Sequence, residues 1–246
     1  MTSRKRGIDR FRLRAGQLLA SRYEVVGFLG SGWEGEVYKV VERATGVSRA
    51  AKLFYPQRNE RNKAASYYAK KLDSLKDCRL LIKYHHSEEF WFRGWKCTAL
   101  ISEYVEGVLL DKWIQSRRGK RLHECEALQL LYVLAKGLEE IHQRREYHGD
   151  LHSGNVFVQR RGIHIDAKLV DMFDWGRATR KNIREDVVDL VRTFHEMLGG
   201  TRTYRMHRPE IKAICCGLKR SLLAQRFPTA GHLRAHLDGF SWEEPF

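Results

Sequence analysis

The chain has no apolar run approaching the roughly eighteen residues that cross a bilayer, and Leu18-Leu19-Ala20 is too short for the core of a signal peptide. A soluble, cytoplasmic protein with no transmembrane segment is expected. Its cysteines (Cys78, Cys97, Cys125, Cys215 and Cys216) are odd in number and lack Cys-x-x-Cys spacing, which argues against a disulfide framework and a zinc site. They are expected to be reduced thiols that pack. No internal repeat is present, so a stacked-repeat architecture is excluded. Acid is also scarce: 30 Asp and Glu stand against 45 Lys and Arg, a formal charge of +15. A basic surface of this kind concentrates anionic partners, whether acidic protein, nucleic acid or lipid surface. Neither a helix-turn-helix pattern nor basic residues interleaved with aromatics are found, so specific nucleic-acid recognition is not expected. Arg4, Lys5, Arg6, Arg10, Arg12 and Arg14 read as a flexible basic arm over residues 1–14. The pairs Arg117-Arg118, Arg144-Arg145 and Arg160-Arg161 read as solvated faces.

What is present is enough apolar material for one enzyme-sized globule, 43% hydrophobic and 11% aromatic over 246 residues. Tyr23–Leu29, Glu36–Val40 and Ser48–Phe54 are β-branched and aromatic runs that predict strands. A helix is predicted over 62–76, and strands over 80–84 and 90–98, followed by a strand from Ala99 running into a hinge at Gly107. Asp111 is placed to cap a helix beginning near Lys112, and Leu130, Leu131, Leu134, Leu138 and Ile141 form a helical stripe within 124–143. A strand-rich first part thus precedes a helix-rich second part, an α+β arrangement.

Three local patterns suggest chemistry. Gly30-x-Gly32-x-x-Gly35 lies between two strand runs and reads as a flap whose glycines admit phosphates to the backbone, or as an ordinary hairpin. Lys52 stands inside an apolar strand, where a charge wants an anionic partner or must snorkel to water. His148-Gly149-Asp150-Leu151-His152-Ser153-Gly154-Asn155 sets an acid and an amide five residues apart, the spacing at which an Asp accepts a hydroxyl proton and an Asn holds magnesium during phosphoryl transfer.

Together with Lys168-Leu169-Val170-Asp171 and Asp186-Val187-Val188-Asp189-Leu190, these patterns resemble the protein kinase superfamily from about Gln17 to Leu237. The resemblance implies a bilobal fold: a β-rich N-lobe with one helix over 15–102, a hinge at 103–107 and a mainly helical C-lobe over 108–246. It implies ATP and Mg2+ as cofactors, with Mn2+ as the alternative ion, and a hydroxyl acceptor on a protein or a small molecule. Gly30, Gly32 and Gly35 would cover the phosphates, and Leu29, Val37, Ala50 and Phe157 would sandwich adenine. The hinge would read adenine through Glu103 and Val105, with Ser102 as a small gatekeeper. Lys52 would hold the α and β phosphates, Asp150 would orient the hydroxyl, and Asn155 and Asp171 would hold the metal. Asp174, in the rival Asp174-Trp175-Gly176, is the runner-up for that last role. His152 would contact the γ-phosphate, or else pack or face solvent.

The chain departs from the family pattern in four ways. About ten residues separate Gly176 from Asp186, so a long activation segment ending in Ala-Pro-Glu is missing. The family's His-Arg-Asp has become His148-Gly149-Asp150, without the arginine that holds a phosphorylated loop. Residues 62–76 offer no Glu to Lys52, Asp73 being out of phase. His152 replaces a common lysine, a feature closer to aminoglycoside phosphotransferases. The first expectation is a phosphotransferase acting on a protein Ser/Thr hydroxyl. A small-molecule kinase and a pseudokinase scaffold with a basic partner surface are the alternatives. Arg226-Phe227-Pro228-Thr229 resembles a C-terminal family motif, while His232 and His236 are expected as surface or cap residues.

Overall fold

The computed structural model describes residues 7–172 and 176–239. The chain divides into two compact units, Met1–Lys76 with Ile82–Val105, and Asp77–Leu81 with Glu106–Phe246.

The first unit is built on a six-stranded antiparallel sheet, in the order β1-β2-β3-β4-β6-β5. Its strands are β1 (Leu18–Leu19), β2 (Tyr23–Ser31), β3 (Gly35–Glu42), β4 (Ser48–Phe54), β5 (Tyr84–Phe92) and β6 (Trp95–Glu103). Period-two alternation sorts the side chains. Tyr23, Val25, Tyr38, Val40, Ala51, Leu53, Ala99 and Ile101 form a buried core on one face. Val37, Ala50, Lys52 and Ser102 alternate with them and lie on the other face. Helix α1 (Lys63–Ser74) packs there, bringing the buried Tyr68 to Lys52.

Two expectations change in this unit. The strand read over 90–98 is interrupted by a turn: Arg93 (φ 49°) and Gly94 (φ 77°) both take positive φ, the two-residue hairpin conformation that matches strand twist. β5 and β6 therefore flank residues 93–94. Residues 7–14, read as part of a flexible basic arm, are packed. Ile8 and Phe11 join the sheet core, Phe11 stacking on Tyr55 at 5.6 Å. The backbone N–H groups of Phe11 and Arg12 donate to the buried Glu36 carboxylate at 3.2 and 3.4 Å, and Leu13 N–H donates to the Tyr38 hydroxyl at 3.1 Å. Alternation of Ile8, Phe11 and Leu13 with charged residues lets the basic side chains remain outside while the apolar ones dock.

The second unit is mainly helical. α2 (Leu110–Ser116), α3 (Glu124–Gln143), α4 (Arg180–Met197), α5 (Pro209–Cys215), α6 (Arg220–Arg226) and α7 (Ala230–Asp238) accompany a small sheet of β7 (Val108–Leu109), β8 (Val156–Arg161) and β9 (His164–Leu169). The leucine stripe of α3 is fully buried at Leu130, Leu131, Leu134, Leu138 and Ile141, each side chain contributing about 1.5–3 kcal/mol by leaving water. Asp111 does not cap α2; Leu109 is the cap residue and Asp111 sits in the first turn, where its charge still favours the helix N-terminus. Leu80 and Leu81, read as the start of a strand, instead pack as side chains. A Cβ on Gly137 would lie 2.3 Å from Leu80, so the glycine in α3 is the notch that receives this leucine. Among the described residues, a single isolated bridge, Leu81 to Leu169, is sheet-like there.

Candidate active site

Within the first unit, the β2–β3 hairpin closes through Gly32 N–H donating to the Gly35 carbonyl at 2.9 Å. The three flap glycines differ in what requires them. A Cβ on Gly35 would meet the Leu53 carbonyl oxygen at 1.9 Å, whereas Cβ atoms on Gly30 and Gly32 would meet nothing within 4 Å. Gly35 is thus a requirement of the sheet, and Gly30 and Gly32 are not. Leu29 is at a bulge in β2, where the register shifts between Phe28 and Gly30. Cross-strand register places Gly30 opposite Val37, Val37 opposite Lys52, and Ala50 opposite Ser102, so these five residues share a surface. Glu103 ends β6; its backbone N–H donates to Lys83 O at 2.8 Å and its carboxylate accepts from Lys83 N–H at 3.1 Å. Val105 closes the unit.

Lys52 is 15% exposed at its side chain, and its Nζ donates to Glu34 Oε2 at 2.9 Å. The same ammonium lies 4.6 Å from the centroid of the Tyr68 ring of α1. Neither residue was singled out from the sequence as a partner. The usable signal was an acid inside the glycine flap itself, 18 residues from Lys52.

Within the second unit, the predicted catalytic loop is suspended from α4. Asp186, fully buried, accepts from the backbone N–H of His148 and of Gly149, each at 2.8 Å, and pairs with His142 Nε2 at 3.0 Å. His148 accepts at Nδ1 from the Asp150 N–H at 3.3 Å. Its Nε2 must then carry the proton and donates to the Val170 carbonyl at 3.1 Å, coupling the loop to the residue before Asp171. Asn155 Nδ2 donates to both the backbone oxygen (2.9 Å) and Oδ2 (3.1 Å) of Asp150. Val170 N–H in turn donates to Asn155 O at 3.0 Å, so Asp150, Asn155 and the approach to Asp171 form one network. Asp171 has φ 54°, a left-handed conformation that Asp tolerates better than most residues and that turns the chain out of β9. Asp174 lies outside the described residues. Phe157, on β8, alternates with the buried Val156 and Val158 and is only partly covered.

His152 uses Nδ1 to accept from Gly154 N–H at 3.0 Å, leaving Nε2 3.7 Å from Asp150 Oδ2. A Cβ on Gly154 would meet His152 Cε1 at 2.9 Å, so this glycine, unremarked as a site residue, sets the imidazole's place. Gly176 is followed within four residues by α4, whose N-terminus is fastened by a capping box between Thr179 and Asn182. His232 receives a similar cap contact from Thr229, with Oγ1 and Nδ1 2.8 Å apart.

Comparison with known proteins shows a family and a fold. The sequence pattern described as "Protein kinase domain" matches residues 23–211. Among curated proteins, "Serine/threonine-protein kinase 10" of Xenopus tropicalis is 28% identical over 155 residues, 61% of this chain and 15% of that protein. "Myosin light chain kinase family member 4" of Homo sapiens is 28% identical over 158 residues, 64% of this chain and 38% of the other. The chain spans half or less of the length of such relatives, down to 12%. The crystal structure of the Mycobacterium tuberculosis PknI kinase domain has a TM-score of 0.65 at 21% identity, covering 92% of this chain and 97% of that one. At that identity the likeness speaks to the fold alone.

Proposed function

Because the chain belongs to the protein kinase superfamily, we propose that it is an ATP- and magnesium-dependent phosphotransferase that transfers the γ-phosphoryl group to a Ser/Thr hydroxyl on a protein. The observation that carries the proposal is the Asp150–Asn155 network. Asn155 fixes the Asp150 carboxylate at Oδ2, leaving Oδ1 to receive the proton of an incoming hydroxyl as that oxygen attacks phosphorus. The same amide orientation turns Asn155 Oδ1 away from Asp150, as a metal-holding group requires. The residues also fit a nucleotide: Gly30 and Gly32 have no internal neighbour that forbids a side chain, which supports their role as places where phosphates approach backbone N–H groups. Lys52 would hold the α and β phosphates, while Leu29, Val37, Ala50, Ser102, Glu103, Val105 and Phe157 would form the adenine site.

Asn155 and Asp171 would hold magnesium, or manganese in its place, which when bound neutralises charge on the transferring phosphate. His152 Nε2 would donate to that phosphate. A small-molecule acceptor is the second reading, favoured by the four residues from Gly176 to Thr179 that precede α4, which leave little chain for a peptide shelf. Asp171→Asn tests the site: turnover should drop by about a hundredfold or more with the melting temperature unchanged. Full activity in this variant would remove Asp171 from the metal site.

A further inference from the structure

We propose that Glu34, inside the glycine flap, is the positioning residue for Lys52, taking over a task that helix α1 does not perform. The proposal rests on the reading of the site above and adds how its lysine is held. α1 has the sequence Lys-Ala-Ala-Ser-Tyr-Tyr-Ala-Lys-Lys-Leu-Asp-Ser from Lys63 to Ser74; it contains no Glu, and toward Lys52 it presents the ring of Tyr68. A ring face attracts an ammonium but does not fix its direction as a carboxylate does. Glu34 is a directional partner at 2.9 Å.

Glu34 is not on a loosely tethered tip. Its carbonyl accepts from Tyr55 N–H at 2.9 Å, tying it to the end of β4, the strand that also bears Lys52. The next residue, Gly35, lies against the Leu53 carbonyl so closely that no side chain fits there. Thus the backbone from the Glu34 carbonyl onward is fastened to the end of β4, the strand that bears Lys52. An ammonium has three donors, so Lys52 can keep Glu34 while offering a proton to a phosphate. The consequence concerns regulation: a carboxylate of the sheet that bears Lys52 holds its ammonium without a Glu from α1.

The test compares wild type, Glu34→Gln and Glu34→Asp, with Glu60→Gln as a control outside the site. The first readout is the rate at which Lys52 is acylated by an amine-reactive ester without nucleotide, measured by mass spectrometry. Expected is a several-fold faster reaction in Glu34→Gln, partial restoration in Glu34→Asp and no change in Glu60→Gln. The second readout is steady-state kinetics, in which Glu34→Gln should lower kcat on the order of tenfold while moving KM for ATP far less. Equal acylation of Lys52 in wild type and Glu34→Gln overturns the proposal. So does tighter ATP binding with faster turnover in Glu34→Gln, which would make the carboxylate a competitor of the phosphates. If acylation responds as expected but wild type transfers no phosphate to any acceptor, the positioning of Lys52 stands and the phosphotransferase reading falls.

Discussion

Replacing Asp186 by Asn should weaken the fold locally and globally by an amount the structure allows to be worked out. The carboxylate is fully buried and takes three hydrogen bonds, from His148 N–H, Gly149 N–H and His142 Nε2. An amide of the same shape keeps one acceptor oxygen and turns an NH2 toward a group that donates. One charge-assisted bond is lost and one buried donor is left opposed, together about 2–4 kcal/mol. Against a typical stability of about 5–15 kcal/mol the variant should remain folded. Urea unfolding should show a lower midpoint with an unchanged slope. Hydrogen exchange should be faster at the His148 and Gly149 amides, by about thirtyfold for each 2 kcal/mol if exchange follows local opening. A stability change below about 0.5 kcal/mol, with protection of those two amides intact, would refute the claim that Asp186 suspends the loop.

Two further outcomes follow from packing and burial. Gly35→Ala should destabilise the first unit by about 3 kcal/mol or more, because its Cβ would meet the Leu53 carbonyl oxygen at 1.9 Å, whereas Gly30→Ala should leave the melting temperature nearly unchanged; equal melting temperatures for both would contradict the distinction. Burial pushes the Cys97 and Cys215 thiols from 9.0 up to about 11 and about 12. With folded values raised, their contribution is complete below the unfolded value and is lost as pH rises through the folded ones. Unfolding free energy should thus fall between pH 9 and pH 11, by up to about 1.4 kcal/mol per pH unit for each thiol. A flat profile in urea titrations across that range would contradict it.

Much of the architecture was readable where one periodicity dominates. The stripe from Leu130 to Ile141 defines α3, and the apolar run around Lys52 defines β4, because in each the burial pattern and the local preference agree. Leu80 and Leu81 were misread because a short apolar run does not reveal whether it pairs or fills a notch, and the notch at Gly137 lies in a distant helix. Residues 7–14 were misread because their charge outweighs Ile8, Phe11 and Leu13 in any composition count, and the Glu36 carboxylate that receives their backbone is 25 residues from Phe11. At the site, spacing marks Asp150 and Asn155 as candidates, and the apolar Leu169-Val170 before Asp171 favours it over Asp174. Glu34 is not legible as a partner of Lys52 in the sequence, because only the hairpin and its pairing with β4 bring residues 18 apart to 2.9 Å.

Phosphoryl transfer through Asp150 is measured by incubating the purified protein and its Asp150→Ala variant with γ-labelled ATP and magnesium against a pool of protein acceptors. The account predicts labelling by wild type that falls by about a hundredfold or more in the variant, with both proteins equally stable and equally able to bind ATP. Equal labelling by the two proteins, or none by either, would contradict it.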